Sequence, residues 1–414
     1  MTNSSILIYN IKQLFQVEEK ARTVIKDGAM QLLSNIENAW LLIDNQRIID
    51  FGTMENCPEN ASKKIDATGK MVLPTWCDSH THIVFAGSRE GEFLDKIKGV
   101  PYEEIARKGG GILNSANRLQ NTSEDALFDA AWKRLEEVTT FGTGAIEIKS
   151  GYGLTTDSEL KILRVIRRLK EKSLLEIKAT FLGAHTFPMS YRDNRQGYIS
   201  LIINEMLPKI AAENLADYID VFCEKVAFSV AETEQIIEAG LKYGLKPKIH
   251  TNQFNCMGGI EASVKHGAIS VDHLEVLTDE EIAVLQKSDT IATLLPSAPF
   301  FLNDAFPPAR KMLDAGITVA LASDYNPGSS PSGNMQFVLS LACIKMKMTP
   351  EEAINAATLN GAAAMELAEN YGSIGRGKIA NILITKEIPS IHFLPYAFGS
   401  QLVEKVILKG KEIF

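Results

Sequence analysis

From residue 71 onward the chain repeats one unit: a short apolar run, a polar turn, then a stretch with apolar residues at helical spacing. Eight such runs can be counted, at 71–82, 144–153, 176–185, 218–226, 246–253, 269–276, 290–298 and 317–325. Most are near-continuous apolar segments, the pattern of strands buried on both faces. Several intervening segments open on capping boxes, Thr156-x-x-Glu159, Ser229-x-x-Glu232 and Thr278-x-x-Glu281, and continue into LKILRVIRRL or IAVL. Eight strand–helix units predict a (β/α)8 barrel of the TIM type, an α/β fold. An open doubly wound sheet is the alternative. No Gly-x-Gly-x-x-Gly follows an early run, which disfavours its dinucleotide-binding form.

The flanks have another character. SILIYN, AWLLIDNQRIIDFG and the Asp66–Lys70 turn precede the repeats, and GKIANILITK and VEKVILKGKEI follow them. Both read as short strands and turns. The simplest arrangement is one small composite β-sandwich domain from residues 1–70 and 372–414, with the barrel spanning 71–371. A chain of 414 residues accommodates both.

An apolar fraction of 45% and a net charge of −8 describe a globular enzyme-sized protein and argue against nucleic acid or an anionic membrane as partner. The five cysteines are scattered, with no Cys-x-x-Cys pair, which speaks against a disulfide framework or a cysteine zinc site. The opening MTNSSILIYNIKQLFQVEEK lacks the basic and long apolar regions of a signal peptide, and no apolar stretch is of membrane-spanning length. A cytoplasmic location, a small-molecule substrate and a possible homodimer are the expectations.

The chemistry concentrates at the ends of the runs. His80 and His82, in Asp78-Ser-His-Thr-His82, are two residues apart and share a face of an extended strand. That is half of a transition-metal site. His250 in KPKIH, His273 in ISVDH and Asp324 in ITVALASD end later runs. In a barrel all of them would meet at the C-terminal face, where active sites are built, and the first and eighth strands would be neighbours. Three imidazoles and a carboxylate leave a position for water, as a catalytic metal site requires. Asp324 reads as ligand, proton acceptor or both, with a cap for the Asn326-Pro-Gly turn as the alternative. His273 reads as a ligand or as an acid/base group.

The run IDATGKMVLPTWCDSHTH resembles the entry of the amidohydrolase superfamily into its metal barrel. HTHIVFAGSREGEF, ARKGGGI, EIKSGYGL, FLGAHTFP and SDYNPGSSP are similar to the branch of that superfamily that opens a cyclic amide in histidine degradation. The resemblance covers essentially the whole chain. It implies a hydrolase acting on a carbon–nitrogen bond of 4-imidazolone-5-propanoate to give N-formimidoyl-L-glutamate, with one divalent metal, zinc or iron. It implies His80, His82, His250 and Asp324 as metal ligands. It implies Arg89, Tyr152, His185, Gln253, Asn326, Gly328 and Ser329 as substrate contacts. From the residues themselves, His273, Asp324 and His185 are expected as the catalytic set.

The residue types agree with those roles. Arginine recognises carboxylates through a planar fork, which suits Arg89 to a propanoate; a surface ion pair with Glu90 or Glu92 is the alternative. Glycines on either side of Tyr152 suit a loop closing on a ligand, and Gly109-Gly110-Gly111 reads as a flexible lid or a turn. Backbone and hydroxyl donors of the Asn326–Ser329 loop are candidates for holding the carboxylate. Two positions depart from relatives. The fourth run ends in Cys223-Glu-Lys225 without a clear lysine for a second metal, which favours a mononuclear site. Position 253 is Gln where Glu is expected, and Gln can hydrogen-bond but not carry a proton. An aminohydrolase such as a guanine or cytosine deaminase is a competing function on the same metal logic; a non-catalytic scaffold is a third.

Overall fold

The computed structural model describes residues 5–100 and 111–413; Gly109 and Gly110 of the glycine run lie outside them. Eight strands form one parallel sheet: β1 (Trp76–Asp78), β2 (Thr143–Lys149), β3 (Glu176–Ala184), β4 (Tyr218–Cys223), β5 (Lys246–Thr251), β6 (Ser270–His273), β7 (Ile291–Leu294) and β8 (Val319–Leu321), each beside the next in order. The sheet closes beyond the ends of β8 and β1. Thr81 bridges to Tyr325 in parallel, the His82 amide donates to the Tyr325 carbonyl at 2.9 Å, and the Asp324 amide donates to the His80 carbonyl at 3.0 Å. The Asp78 carboxylate completes the seam, accepting the Ser323 amide at 2.9 Å and its hydroxyl at 2.5 Å. The fold is the TIM-like barrel the repeats predict.

Strand alternation explains the interior. Every residue of β2 is buried; Ile146 and Ile148 belong to the hydrophobic core, whereas Glu147 and Lys149 bond one another. The helix Thr156–Lys172 buries Ile162, Leu163, Ile166 and Leu169, an apolar stripe at helical spacing. The capping boxes at Ser229/Glu232 and Thr278/Glu281 form with both reciprocal bonds. The one expected at Thr156/Glu159 does not. Thr155 caps that helix, and the buried Glu159 carboxylate instead accepts bonds from the 151–154 loop. Three buried amide donors within reach hold this carboxylate more firmly than one cap position would.

The terminal segments share a second sheet. Its order is Lys411–Glu412, Val403–Leu408, Ile382–Glu387, Lys70–Pro74, Ile6–Phe15, Asn35–Asp44 and Arg47–Thr53, with Lys63–Asp66 also pairing Ile6–Phe15. The run expected as one strand over 71–82 therefore divides. Lys70–Pro74 pairs with Ile6–Phe15 and Ile382–Glu387, and the barrel begins at Trp76, past the boundary expected at 71. A continuous apolar run reports burial, not which sheet provides the ladder. Among the described residues no helix is long and apolar enough to cross a membrane.

Candidate active site and metal centre

The C-terminal ends of β1, β5 and β8 bring together the residues separated by up to 244 positions in the chain. His80, His82 and His250 are buried, and one ring nitrogen from each lies within 4.8 Å of the others. The His80 and His82 Nε2 atoms are 3.2 Å apart, and Asp324 Oδ1 is 3.6 Å from the first and 3.5 Å from the second. The other face of two of these rings is fixed. His80 Nδ1 meets Asp272 Oδ2 at 2.6 Å and His250 Nδ1 meets Asp220 Oδ2 at 2.7 Å. A carboxylate at Nδ1 makes that nitrogen the donor, so each Nε2 presents a lone pair to the cluster. Buried His250 Nε2 has no hydrogen-bond partner. Converging bare lone pairs beside a carboxylate are the donor set of a divalent metal, and the residues fit one.

The electrostatics agree. Burial first, then neighbouring cationic groups, holds His80, His82 and His250 well below the usual histidine value of 6.5, so the imidazoles are neutral and available as ligands. Burial lifts the Asp324 carboxyl to about 7, against the opposing pull of His273 and of the Asn326 hydrogen bond.

His273 also enters the site. Its ring centroid is 5.8 Å from that of His80 and 5.3 Å from that of His250. Burial alone would push its imidazolium down, but Glu275, with Oε1 3.3 Å from Nδ1, acting together with Asp324 and Asp272, leaves His273 at about 9. The backbone at His273 has φ +92° and at Leu274 φ +66°. These conformations are costly for residues with a Cβ, and they cluster at functional sites. His185 stacks on His82 with centroids 5.5 Å apart and bonds the Gly151 carbonyl through Nδ1 at 3.2 Å; burial takes it down to about 4. Tyr152 is buried with its ring 5.9 Å from His82 and 5.6 Å from His185.

The remaining expected contacts differ more. Arg89 makes the ion pair with Glu92, through Nε at 2.8 Å and Nη2 at 2.6 Å to one carboxylate oxygen, but its side chain is only 14% exposed and not a surface group. A Cβ on Gly328 would lie 2.2 Å from Arg89 Nη1, so this glycine is what lets the guanidinium approach the β8 loop. Arg89 and Gly328 line a cavity of about 460 Å³ with Phe85, Phe93, Arg134 and Phe301. The turn donors thought free for a carboxylate are engaged within the turn. The Gly328 and Ser329 amides donate to Asn326 Oδ1 at 2.7 and 2.9 Å, and Asn326 Nδ2 donates to the Asp324 carbonyl at 2.7 Å. Asn326 thus shapes the loop that carries Asp324. Gln253 sits half-buried two residues beyond β5, and Lys225 is exposed beyond β4.

Over residues 71–413 the chain matches the model of the amidohydrolase family. Along its full length it is 58% identical to an imidazolonepropionase from Christiangramia forsetii, covering 99% of this chain and 100% of the relative. It is 41% identical to one from Thermoanaerobacter pseudethanolicus, covering 98% and 96%. The chain belongs to the imidazolonepropionase family of amidohydrolases. More distant solved structures share the fold. Guanine deaminase from C. acetobutylicum superposes with TM-score 0.71 at 16% identity over 99% of this chain and 100% of its own. A zinc-complexed atrazine chlorohydrolase from Arthrobacter aurescens gives 0.69 at 17% over 99% and 95%.

This imidazolonepropionase-family barrel also holds residues that motif reading passed over. Lys149 Nζ lies 2.6 Å from Glu147 Oε1, 2.9 Å from Asp220 Oδ2 and 3.5 Å from Asp272 Oδ2. Lys248 reaches the other Glu147 oxygen at 3.0 Å. All five groups are buried. A buried ionic network costs desolvation, and here it fixes the carboxylates that orient His80 and His250. The available signal was a charged residue inside an otherwise apolar run, as in YIDVF and ISVDH. Such a residue must find a partner or a role.

Proposed function

We propose that this imidazolonepropionase-family hydrolase opens the ring amide of 4-imidazolone-5-propanoate at a single divalent metal, zinc or iron, held by His80, His82, His250 and Asp324. The observation that carries the assignment is the convergence of the three His80, His82 and His250 ring nitrogens within 4.8 Å, with His80 and His250 oriented by buried carboxylates. The fourth strand contributes no lysine to the cluster, which supports one metal, not two. A divalent ion supplies Lewis acidity, acidifying water and polarising a carbonyl.

The protein groups divide the remaining work. Asp324 accepts the proton of the attacking water and returns it to the departing ring nitrogen. The oxygen–carbon bond forms, the ring carbon–nitrogen bond breaks, and the nitrogen stays in the product. His273, with Nδ1 turned to Glu275, offers Nε2 to the carbonyl oxygen where negative charge develops. Tyr152 and His185 flank the ring from the β2 and β3 loops. Arg89, held in place by Glu92, takes the propanoate. Gln253 hydrogen-bonds without transferring a proton.

The test is incubation of the metal-loaded protein with freshly generated imidazolonepropanoate. Formimidoylglutamate without released ammonia is expected. Ammonia release from a purine or pyrimidine, with no ring opening of imidazolonepropanoate, would replace this reading with a deaminase.

A further inference from the structure

Because Thr155 caps the helix Thr156–Lys172, Glu159 is available for another task. It is fully buried. Its Oε1 accepts the Gly153 amide at 2.7 Å and the Leu154 amide at 2.9 Å, and its Oε2 accepts the Gly151 amide at 3.0 Å. The Ser150 hydroxyl bonds it as well. One carboxylate therefore gathers donors from the whole 150–154 loop except Tyr152, the residue in the middle.

The loop backbone is built for this clamp. Gly151 has φ +108° and Leu154 φ +57°. A Cβ on Gly153 would stand 2.5 Å from the Glu159 amide nitrogen, and one on Gly151 would stand 2.9 Å from both His185 Nδ1 and the Leu182 carbonyl. Each glycine thus permits one close approach: Gly153 to Glu159, Gly151 to β3 and His185. The clamped loop delivers two groups to the site. Tyr152 stands 5.9 Å from His82, and the Gly151 carbonyl bonds His185 at 3.2 Å.

We infer that Glu159 is a positioning residue for the reaction: by clamping the 150–154 loop it sets Tyr152 and His185 against the substrate ring. The inference rests on the active-site reading above. Without the carboxylate, three buried amides lose their acceptor, and the loop must move to satisfy them elsewhere. Misplacing substrate-positioning groups by about 1 Å costs on the order of 10²-fold in rate.

Glu159→Gln tests this, since the amide matches the carboxylate in shape but turns an NH₂ against backbone donors. In the metal-loaded protein without substrate, amide hydrogen exchange over residues 150–154 is expected to quicken at least about 10-fold, with the barrel strands unchanged. Metal stoichiometry should hold. On imidazolonepropanoate, kcat/KM should fall by about 10²-fold, and adding Tyr152→Phe should cost far less than it does in the parent enzyme. Unaltered exchange, or additive losses in the double variant, would overturn the inference. If the parent protein fails to open imidazolonepropanoate, the substrate assignment falls, while the exchange result still decides whether Glu159 clamps the loop. Should Glu159→Gln not fold, Gly153→Ala, which forces the loop off Glu159, is expected to give the same exchange signature; normal exchange there would equally refute the clamp.

Discussion

Asp220 Oδ2 lies 2.7 Å from His250 Nδ1 and 2.9 Å from Lys149 Nζ, so one oxygen serves both a metal-ligand candidate and a buried cation. The same carboxylate also accepts the His250 amide at 3.0 Å through Oδ1. Asp220→Asn keeps the shape but places an amide group where the imidazole donates. Metal affinity is expected to weaken by about 10–100-fold, the usual effect of losing such an orienting partner. Competition with a chelator measures it, and unchanged affinity would remove Asp220 from the metal support. Asp272→Asn should act in parallel through His80.

His82 is a metal-ligand candidate with no carboxylate holding Nδ1, which is buried without a partner. Its value to the protein is therefore concentrated in the cluster. His82→Ala should lose the bound metal and the hydrolysis together while circular dichroism reports a folded barrel. Stoichiometric metal in the purified variant would sink the ligand assignment.

His273 places Nδ1 3.3 Å from Glu275 Oε1 and has a backbone conformation that a residue with a Cβ adopts at a cost, φ +92°. Truncation to alanine leaves the three-histidine cluster in place, so metal content should be intact. Turnover is expected to drop by roughly 10² or more, the scale of a positioned proton-transfer or charge-stabilising group. Near-normal turnover with full metal would exclude a catalytic role.

Arg89→Met removes the guanidinium while keeping much of its length, and leaves Glu92 without its partner. A loss of roughly 2–5 kcal/mol in kcat/KM is expected with imidazolonepropanoate, as for truncation of one member of a buried charge pair. An analogue lacking the propanoate should suffer far less. Equal losses on both substrates would place Arg89 outside carboxylate recognition. Glu92→Gln provides the companion measurement, since a loosened Arg89 should raise KM more than it lowers kcat.

How the chain was legible differs from place to place. Asp78-Ser-His-Thr-His82 could be read directly, because extended backbone puts residues two apart on one face. His250 and Asp324 could be read only as strand ends, and their meeting with His80 depended on barrel order. His273 illustrates the limit. Alternation along β6 sends Asp272 into the barrel toward His80 and Lys149, which should send His273 outward. The positive φ at His273 and Leu274 breaks the alternation and brings the ring back to the cluster.

The amino-acid sequence by itself determined the repeated strand–helix unit, the β-rich flanks and the histidines and aspartate at the mouth, because burial, periodicity and capping are local properties of the chain. Only the tertiary structure decided that Lys70–Pro74 joins the terminal sheet, that Glu159 clamps a loop and does not cap its helix, and that Asn326 engages the turn donors. It also decided that Lys149 lies beneath two aspartates from different strands. Each of these turns on which buried polar group finds which partner. That choice is made by distances across the closed barrel, where a local alternative loses to a better-satisfied distant one.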